Sequence, residues 1–447
     1  MKGILVILDG LGDLPHRQLG GKTPLEVAET PNLDFFANRG EMGYLYPVKP
    51  SFVPESDEAI VSIFGNEQID STRGQLEARG TDLKLTRGDL ALRVNFATVD
   101  SLKEGNIIDR RAGRTLTTSE AEELSNALNE IKLSCKFSFE ATIQHRAVFV
   151  LRGGWSDNIT GNETPYSKGR VKGVDKISNF KVFDDEENAL YTVNVLNEFI
   201  EKAYEVLNNH PVNERRKKSG LLPANYLLMR GPGIEPPKLK FYKKWLSVSY
   251  MPLEIGFSRV SGMKVFSFDY PKLKNLDSYE NLKEGLKKVA SFSTKVLRKN
   301  KKKYDYAYIH IKETDIPGHD NKPVEKKLML EYLDSTLFKF LRNFAPPNGI
   351  KLAVTGDHST PCKLKAHSAD PVPVLLYNDK PPKRKDRFFS MFKIGNQEVE
   401  LKVDGSKASG TGNKNIDSEK FCEKNARRGT LGRIVGGEFL ERIGFLK

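Results

Sequence analysis

An α/β fold on a mainly parallel sheet, with helices on both faces, is what the sequence predicts, and three apolar runs predict it. Ile4-Leu5-Val6-Ile7-Leu8 is apolar without alternation, as a strand buried on both faces of a parallel sheet must be, and it ends at Asp9-Gly10. Tyr306 to Ile311 reads as a second strand, followed by Asp315 and, after Pro317-Gly318, by His319. Leu352-Ala353-Val354 reads as a third, which Gly356 breaks to hand over Asp357 and His358. In open α/β sheets ligands bind beyond the carboxyl ends of the strands, so three such ends would converge on one site.

In chain order, the first strand leads through a Gly/Pro-rich loop to Thr23-Pro24-Leu25-Glu26, a helix start with Thr as N-cap, Pro at the first helical position and Glu three residues after the cap. Thr30-Pro31 starts a second helix, with Leu33, Phe36 and Ala37 on one face and Gly40 as its stop. After the Pro-punctuated segment Pro47 to Pro54, Glu55-Ser56-Asp57-Glu58 leads into the apolar run Ala59 to Gly65, a helix with Ser56 at its N-terminus. Free N–H groups and the helix dipole favour an anion such as phosphate there. Ser56 alone reads as an N-cap; beside metal ligands it also reads as a nucleophile, because a metal lowers the pKa of a hydroxyl.

In the middle of the chain Ala91 to Asp100 reads as a strand, and Asp109-Arg110-Arg111-Ala112-Gly113-Arg114 gathers three guanidinium groups. Such a loop is either a fork for carboxylate or phosphate or a solvated basic turn. Gln144-His145-Arg146 precedes a further apolar strand, Ala147 to Leu151. Met329, Leu333, Leu337, Phe340, Leu341 and Phe344 recur at helical spacing, a core-facing stripe that Pro346-Pro347 ends. His16 and His210 have no partner pattern, and His310, inside its strand, is expected to point away from the Asp315 motif.

Asp357, His358 and His367 fall within eleven residues, a concentrated supply of N/O donors for a divalent transition ion, and the Asp-x-x-x-His spacing of Asp315 and His319 offers two more from one turn. An isolated histidine is usually a surface or hydrogen-bonded residue; the repetition at successive strand ends shifts that balance.

A chain of 447 residues exceeds a typical single core and suggests two domains. No apolar stretch approaches the ~18–20 residues of a membrane span, and the N-terminal run meets an acid after Leu8, unlike a signal peptide, so no membrane partner and a cytoplasmic location are expected. Cys135, Cys362 and Cys422 form no C-x-x-C pair, which fits a reducing compartment and argues against a cysteine-held zinc. The formal net charge of +13 invites nucleic acid. Yet its basic runs, Arg215 to Lys218, Arg298 to Lys303 and Lys383 to Lys385, are scattered among acids, and no zinc-finger, RNP or basic-zipper pattern is present. A small phosphorylated anion is the partner this field favours.

MKGILVILDGLGD at the start, ESD around Ser56, HIKETDIPGHD at 310–320 and TGDHSTPCKLKAHSADPVP at 355–373 together resemble the archaeal-type, 2,3-bisphosphoglycerate-independent phosphoglycerate mutases of the alkaline phosphatase superfamily. HPVNERRKKSGLLPANYLLMRGPG at 210–233 and NARRGTLGR at 425–433 also look like that family. The resemblance implies an alkaline-phosphatase-like metal-binding domain in two segments, 1–70 and 231–447, with an inserted smaller α/β domain at 71–230 that orients the substrate. It implies two divalent ions, Mn2+, Zn2+ or similar, one held by Asp315, His319 and His367 and the other by Asp9, Ser56, Asp357 and His358, with no 2,3-bisphosphoglycerate. Ser56 would be the phosphorylated nucleophile in the interconversion of 3- and 2-phosphoglycerate, a step of glycolysis and gluconeogenesis. Arg110, Arg111, Arg114, His145 and Arg146 are the expected substrate-binding residues, with His145 equally readable as a packed histidine.

Two departures from the family pattern stand out. Met251-Pro252-Leu253-Glu254-Ile255-Gly256 puts Ile255 where a lysine is expected, and Asn162-Glu163-Thr164-Pro165-Tyr166 replaces a DTDPH-like stretch. They keep open a metal-dependent phosphatase, or a phosphomutase for another small phosphate ester. A non-catalytic binding paralogue ranks last, because every metal-site position carries a competent residue type.

Overall fold

Gly3–Leu8 forms β1, which is buried along its whole length. Its side chains alternate between two cores: Ile4, Val6 and Leu8 pack on one face of the sheet, Leu5 and Ile7 on the other. The computed structural model describes residues 1–67, 73–163, 176–184, 186–273, 277–378, 391–394, 397–400 and 419–446. Further strands are β2 Glu41–Tyr46, β3 Leu90–Val99, β4 Ile107–Asp109, β5 Phe137–Ala141, β6 Arg146–Leu151, β7 Tyr226–Gly233, β8 Trp245–Val248, β9 Lys264–Phe266, β10 Tyr306–Ile311, β11 Lys351–Thr355 and β12 Val372–Tyr377. Met391–Ile394 and Gln397–Glu400, β13 and β14, pair as an antiparallel ribbon, and Gly432–Val435 is β15.

The larger sheet has eight strands in the order β15-β2-β12-β11-β1-β10-β8-β9. β1 pairs in parallel with β10 and with β11, and only β12 runs against the rest. Leu8 lies opposite Ile311 and Ile7 opposite Thr355, so the three central strands end at one level. Because β12 runs the other way, the segment entering it returns His367 to that same edge. Helices cover both faces. Pro31–Ala37, Ser278–Asn300 and Pro323–Leu333 contribute to the core that holds Ile4, and Ser56–Ile63, Pro252–Val260 and Phe439–Arg442 to the core that holds Leu5.

The smaller sheet, β4-β3-β6-β5 with β7 on the other edge of β3, is antiparallel throughout. Alternation along β3 sends Leu90, Leu92, Val94 and Phe96 into a core with Phe139, Phe149 and Phe199, under the helices Thr118–Asn129 and Glu187–Asn208. Arg93 and Asn95, of opposite parity, are left for the other face.

The two sheets meet where the helix Arg73–Arg79 crosses Pro252–Val260. A Cβ on Gly256 would stand 1.7 Å from the Leu76 carbonyl oxygen, and one on Gly80 1.9 Å from that of Pro252, so these backbones touch only because both residues are glycine.

Thr23 caps its helix as the sequence predicts, accepting from Glu26 N at 3.0 Å while the Glu26 carboxylate accepts from Thr23 N at 2.8 Å. Thr30 does not cap the next helix; Asp334 does, accepting from Asn32 N at 3.1 Å and Leu33 N at 2.8 Å. Asp334 also opens the π-helical turn Asp334–Phe338, which divides the predicted Met329 to Phe344 stripe into Pro323–Leu333 and Lys339–Phe344. Among the described residues no helix is long and apolar enough to cross a membrane.

Candidate active site

The level ends of β1, β10 and β11 deliver Asp9, Lys312 to Asp315, and Asp357-His358 to one place. His358 Nε2 lies 3.1 Å from Asp9 Oδ1 and 3.5 Å from Asp357 Oδ2. On the neighbouring side His319 Nε2 is 3.2 Å from Asp315 Oδ2, and His367 Nε2 is 4.0 Å from Asp315 Oδ1. The His358 and His367 rings stack with centroids 3.7 Å apart, joining the two halves of the cluster.

Ser56 is the first residue of the helix Ser56–Ile63, and its N-cap is Glu55, which makes a capping box with Glu58. The hydroxyl is therefore free of capping. Its Oγ lies 3.3 Å from His358 Nε2 and 3.4 Å from Lys312 Nζ. All seven residues expected to hold metal thus stand around one point, with His367 further fixed by Nδ1 against the Pro54 carbonyl at 2.9 Å.

Three residues of this cluster are not among those singled out in the sequence. Lys312 forms an ion pair with Asp9 and a second, at 2.9 Å, with Glu254 Oε1. His310 does not point away: its Nε2 is 3.5 Å from Asp357 Oδ2 and its Nδ1 meets Tyr308 Oη at 2.8 Å. Parity explains this, because residues two apart on a strand share a face, and Tyr308, His310 and Lys312 all face the Ser56 helix. An ammonium thus reaches Ser56 from Lys312, although Ile255 stands where the family's lysine was sought, and Glu254, the neighbour of Ile255, grips it.

Burial works against charge throughout this cluster; contacts override it at Asp357 and His358, and it prevails at His367 and Asp9. Burial opposes ionisation of Asp357, but His358 overrides it and the carboxyl is held below its ordinary range. Burial likewise opposes a charged His358, whose pKa Asp357 and Asp9 nonetheless raise to about 9. Burial and the proximity of His358 push His367 down to about 4, leaving a neutral imidazole of the kind a metal binds. Burial, reinforced by Asp357, raises Asp9.

The donor set suits a divalent cation. Ligand atoms of Asp315, His358 and His367 lie within 4.8 Å of one another, as do those of Asp9, His310 and Asp357. Asp357 Oδ2, His310 Nε2 and Glu254 Oε2 are buried without hydrogen-bond partners among the described residues, and their lone pairs are what a cation would satisfy.

The cluster floors a cleft whose other wall is basic. Arg73, Arg93, Arg111, Arg114, Arg146 and Arg230 line it, with His145 and Gln144. Acids behind them hold most of these in place: Arg73 donates to Asp57 at 2.9 Å and to Glu77 at 2.9 Å, Arg230 to Glu55 at 3.2 Å, and Arg93 and Arg110 to Glu163 at 3.1 and 3.3 Å. Arg114 is paired with Asp320. Among the described residues Arg111 and Arg146 make no side-chain ion pair, so of the five expected substrate residues they are the two guanidiniums left open to the cleft. Burial, then Arg146 and Arg111, hold the His145 pKa well below its ordinary value, and its Nδ1 has no partner. Of the altered Asn162 to Tyr166 stretch, Glu163 supplies the acid between the arginines, while Thr164, Pro165 and Tyr166 lie outside the described residues.

A model of the family described as 2,3-bisphosphoglycerate-independent phosphoglycerate mutase matches residues 37–213, and one of the metalloenzyme superfamily matches 256–443. Proteins named 2,3-bisphosphoglycerate-independent phosphoglycerate mutase from Pyrococcus abyssi and Thermococcus kodakarensis are each 38% identical to this chain, covering 98% of it and 96% and 95% of their own lengths. Among solved structures, the PH0037 protein of Pyrococcus horikoshii superposes with a TM-score of 0.68 at 28% identity, over 100% of this chain and 98% of its own. A cofactor-independent phosphoglycerate mutase of Thermoplasma acidophilum superposes with a TM-score of 0.51 at 26% identity, over 99% and 98%.

Proposed function

The chain belongs to the 2,3-bisphosphoglycerate-independent phosphoglycerate mutases, and we propose from its geometry how it performs that reaction: through phosphorylation of Ser56. The observation that carries this is the placement of Ser56 Oγ, uncapped at a helix start and 3.3 Å from His358 Nε2 and 3.4 Å from Lys312 Nζ. Oγ gives up its proton and forms a bond to the phosphorus of 3-phosphoglycerate as the bond to the 3-oxygen breaks and that oxygen takes a proton. The glycerate turns in the cleft, and its 2-hydroxyl then gives up its proton and forms the new bond to phosphorus as the P–Oγ bond breaks and Oγ takes a proton.

Asp315, His319 and His367 would hold one divalent ion and Asp9, Ser56, Asp357 and His358 the other, with His310 beside the second. Two such ions lower the pKa of a bound hydroxyl and stabilise entering and leaving oxygens of an in-line transfer. Lys312 places a fixed positive charge beside Oγ, and the first N–H groups of the Ser56 helix point to where phosphate oxygens would lie. Arg111 and Arg146, which make no side-chain ion pair among the described residues, are suited to the glycerate carboxylate, while Arg93, Arg110 and Arg230 are held by Glu163 and Glu55 as a preset positive wall. The separate cores of the two sheets support a division close to 1–70 with 231–447 and 71–230; the first boundary falls at residues outside those described, and the second falls inside β7, whose pairing with β3 carries the smaller sheet on to Gly233.

Metal-reconstituted protein given 3-phosphoglycerate without bisphosphoglycerate should form 2-phosphoglycerate with little free phosphate. Ser56→Ala should lower that turnover by at least about 10⁴-fold while the protein stays folded. Normal turnover in this variant would remove Ser56 as nucleophile. Exhaustive chelation should abolish activity, and manganese or zinc should restore it; full activity in metal-free protein would refute the ion-binding assignment.

A further inference from the structure

Arg114 and Asp320 come from opposite walls of the cleft, and they meet. Arg114 Nη1 donates to both oxygens of Asp320 at 2.6 Å, and Tyr279 Oη donates to Asp320 Oδ2 at 2.8 Å. The Lys322 ammonium lies 3.7 Å from the centre of the Tyr279 ring, bracing that phenol. Nearby, Gln144 Nε2 donates across the cleft to Asn281 Oδ1 at 2.9 Å.

The pair is aimed by its backbone. Ala112, Gly113 and Arg114 have φ of 46°, 68° and 56°, three successive residues in the left-handed region, two of which carry side chains that disfavour it. Asp320 directly follows His319, so the far end of the contact is fixed to the ion-binding cluster itself. Both side chains are about three-quarters buried, at 24% exposure, which spares the pair most of the screening that weakens surface ion pairs. The sheets also touch at the glycine crossing of Arg73–Arg79 on Pro252–Val260, a contact remote in sequence from Arg114.

We propose that Asp320 is a positioning residue that decides between transfer and hydrolysis: by holding Arg114 it keeps the two walls together over phosphorylated Ser56. This rests on the phosphoserine reading given above. With the walls joined, glycerate stays beside the phosphoserine and receives the phosphoryl group back. With them apart, glycerate escapes and water takes its place: the water oxygen bonds to phosphorus, the P–Oγ bond breaks, Oγ takes the proton and inorganic phosphate leaves. Arg114 contributes the guanidinium, Asp320 its anchor and Tyr279 the lateral brace.

The test measures the ratio of inorganic phosphate to 2-phosphoglycerate formed from 3-phosphoglycerate by the metal-loaded full chain. Asp320→Asn should raise that ratio at least about fivefold, because an ion pair to both carboxylate oxygens becomes a single hydrogen bond from the guanidinium to a neutral amide oxygen. Tyr279→Phe, which removes one donor and leaves the ion pair, should shift the ratio in the same direction by less, and serves as the second variant should Asp320→Asn fold poorly. A merely structural role would lower both products together and leave the ratio unchanged; that result in either folded variant overturns the proposal. Failure of the unaltered protein to make 2-phosphoglycerate would instead sink the phosphoserine mutase reading, before any variant is compared.

Discussion

Lys312 is the residue on which sequence reasoning and geometry part. Six of the seven residues expected to hold metal stand out in the sequence as carboxylates and imidazoles concentrated at strand ends, and the structure gathers those six near the seventh, Ser56. Lys312 and Glu254 were not legible, since a lysine beside an acidic motif reads as surface charge until strand parity and the helix Pro252–Val260 bring the two together at 2.9 Å. Lys312→Met should lower turnover by roughly 10²-fold or more through loss of charge at Oγ, with kcat falling more than KM rises. Glu254→Gln in that background should cost much less than on its own, because its partner is already gone; steady-state kinetics of the four proteins measure the coupling. Away from the site, burial raises Glu423 to about 7 although Thr23 Oγ1 donates to it at 2.6 Å. In the unfolded chain this carboxyl loses its proton near 4.5, so between these values the fold binds the extra proton and stability falls as pH rises. Glu423→Gln should therefore melt higher than the unaltered protein at pH 8, with the advantage shrinking towards pH 5 in paired thermal scans.

At the scale of elements, β1, β10 and β11 could be read directly because both of their faces are buried, which forces a largely apolar run. The smaller sheet was harder. Its β3 shows apolar residues at alternate positions and Arg93 and Asn95 between them, a pattern whose polar face makes sense only once the cleft is seen. The cap that Asp334, at the start of the π-helical turn Asp334–Phe338, gives to Pro31–Ala37 joins residues about 300 apart, beyond any local signal. Nor does local sequence disclose that Gly256 is a contact rather than a flaw in its helix. Gly256→Ala should push Pro252–Val260 off Arg73–Arg79 and cost about 1–3 kcal/mol in denaturant unfolding. It should also reduce turnover, since one helix carries Glu254 and the other Arg73; unchanged stability would show that the crossing relaxes.

Across the whole molecule, two separately cored sheets face each other over a cleft that is acidic and metal-ready on one wall and basic on the other. The net charge of +13 is in this light a field around an anion-binding cleft. Raising salt from about 0.05 to 0.5 M should increase KM for 3-phosphoglycerate several-fold with little change in kcat, as the Debye length contracts from over 10 Å to a few; a salt-independent KM would mean that buried contacts alone set affinity. The pairing of β1 has a further consequence, for the time at which this protein can first exist. Gly3 pairs with Tyr306 and with Lys351, so β1 gains its first neighbour in the sheet only after some 300 further residues have been added, and its second after about 350. At ~5–20 residues per second that is a wait of roughly 15–60 s, during which an apolar strand has no sheet to enter. The smaller sheet, complete by Gly233, can fold meanwhile, so the newborn chain carries one finished half and one sticky, waiting strand, the form in which a chaperone would meet it.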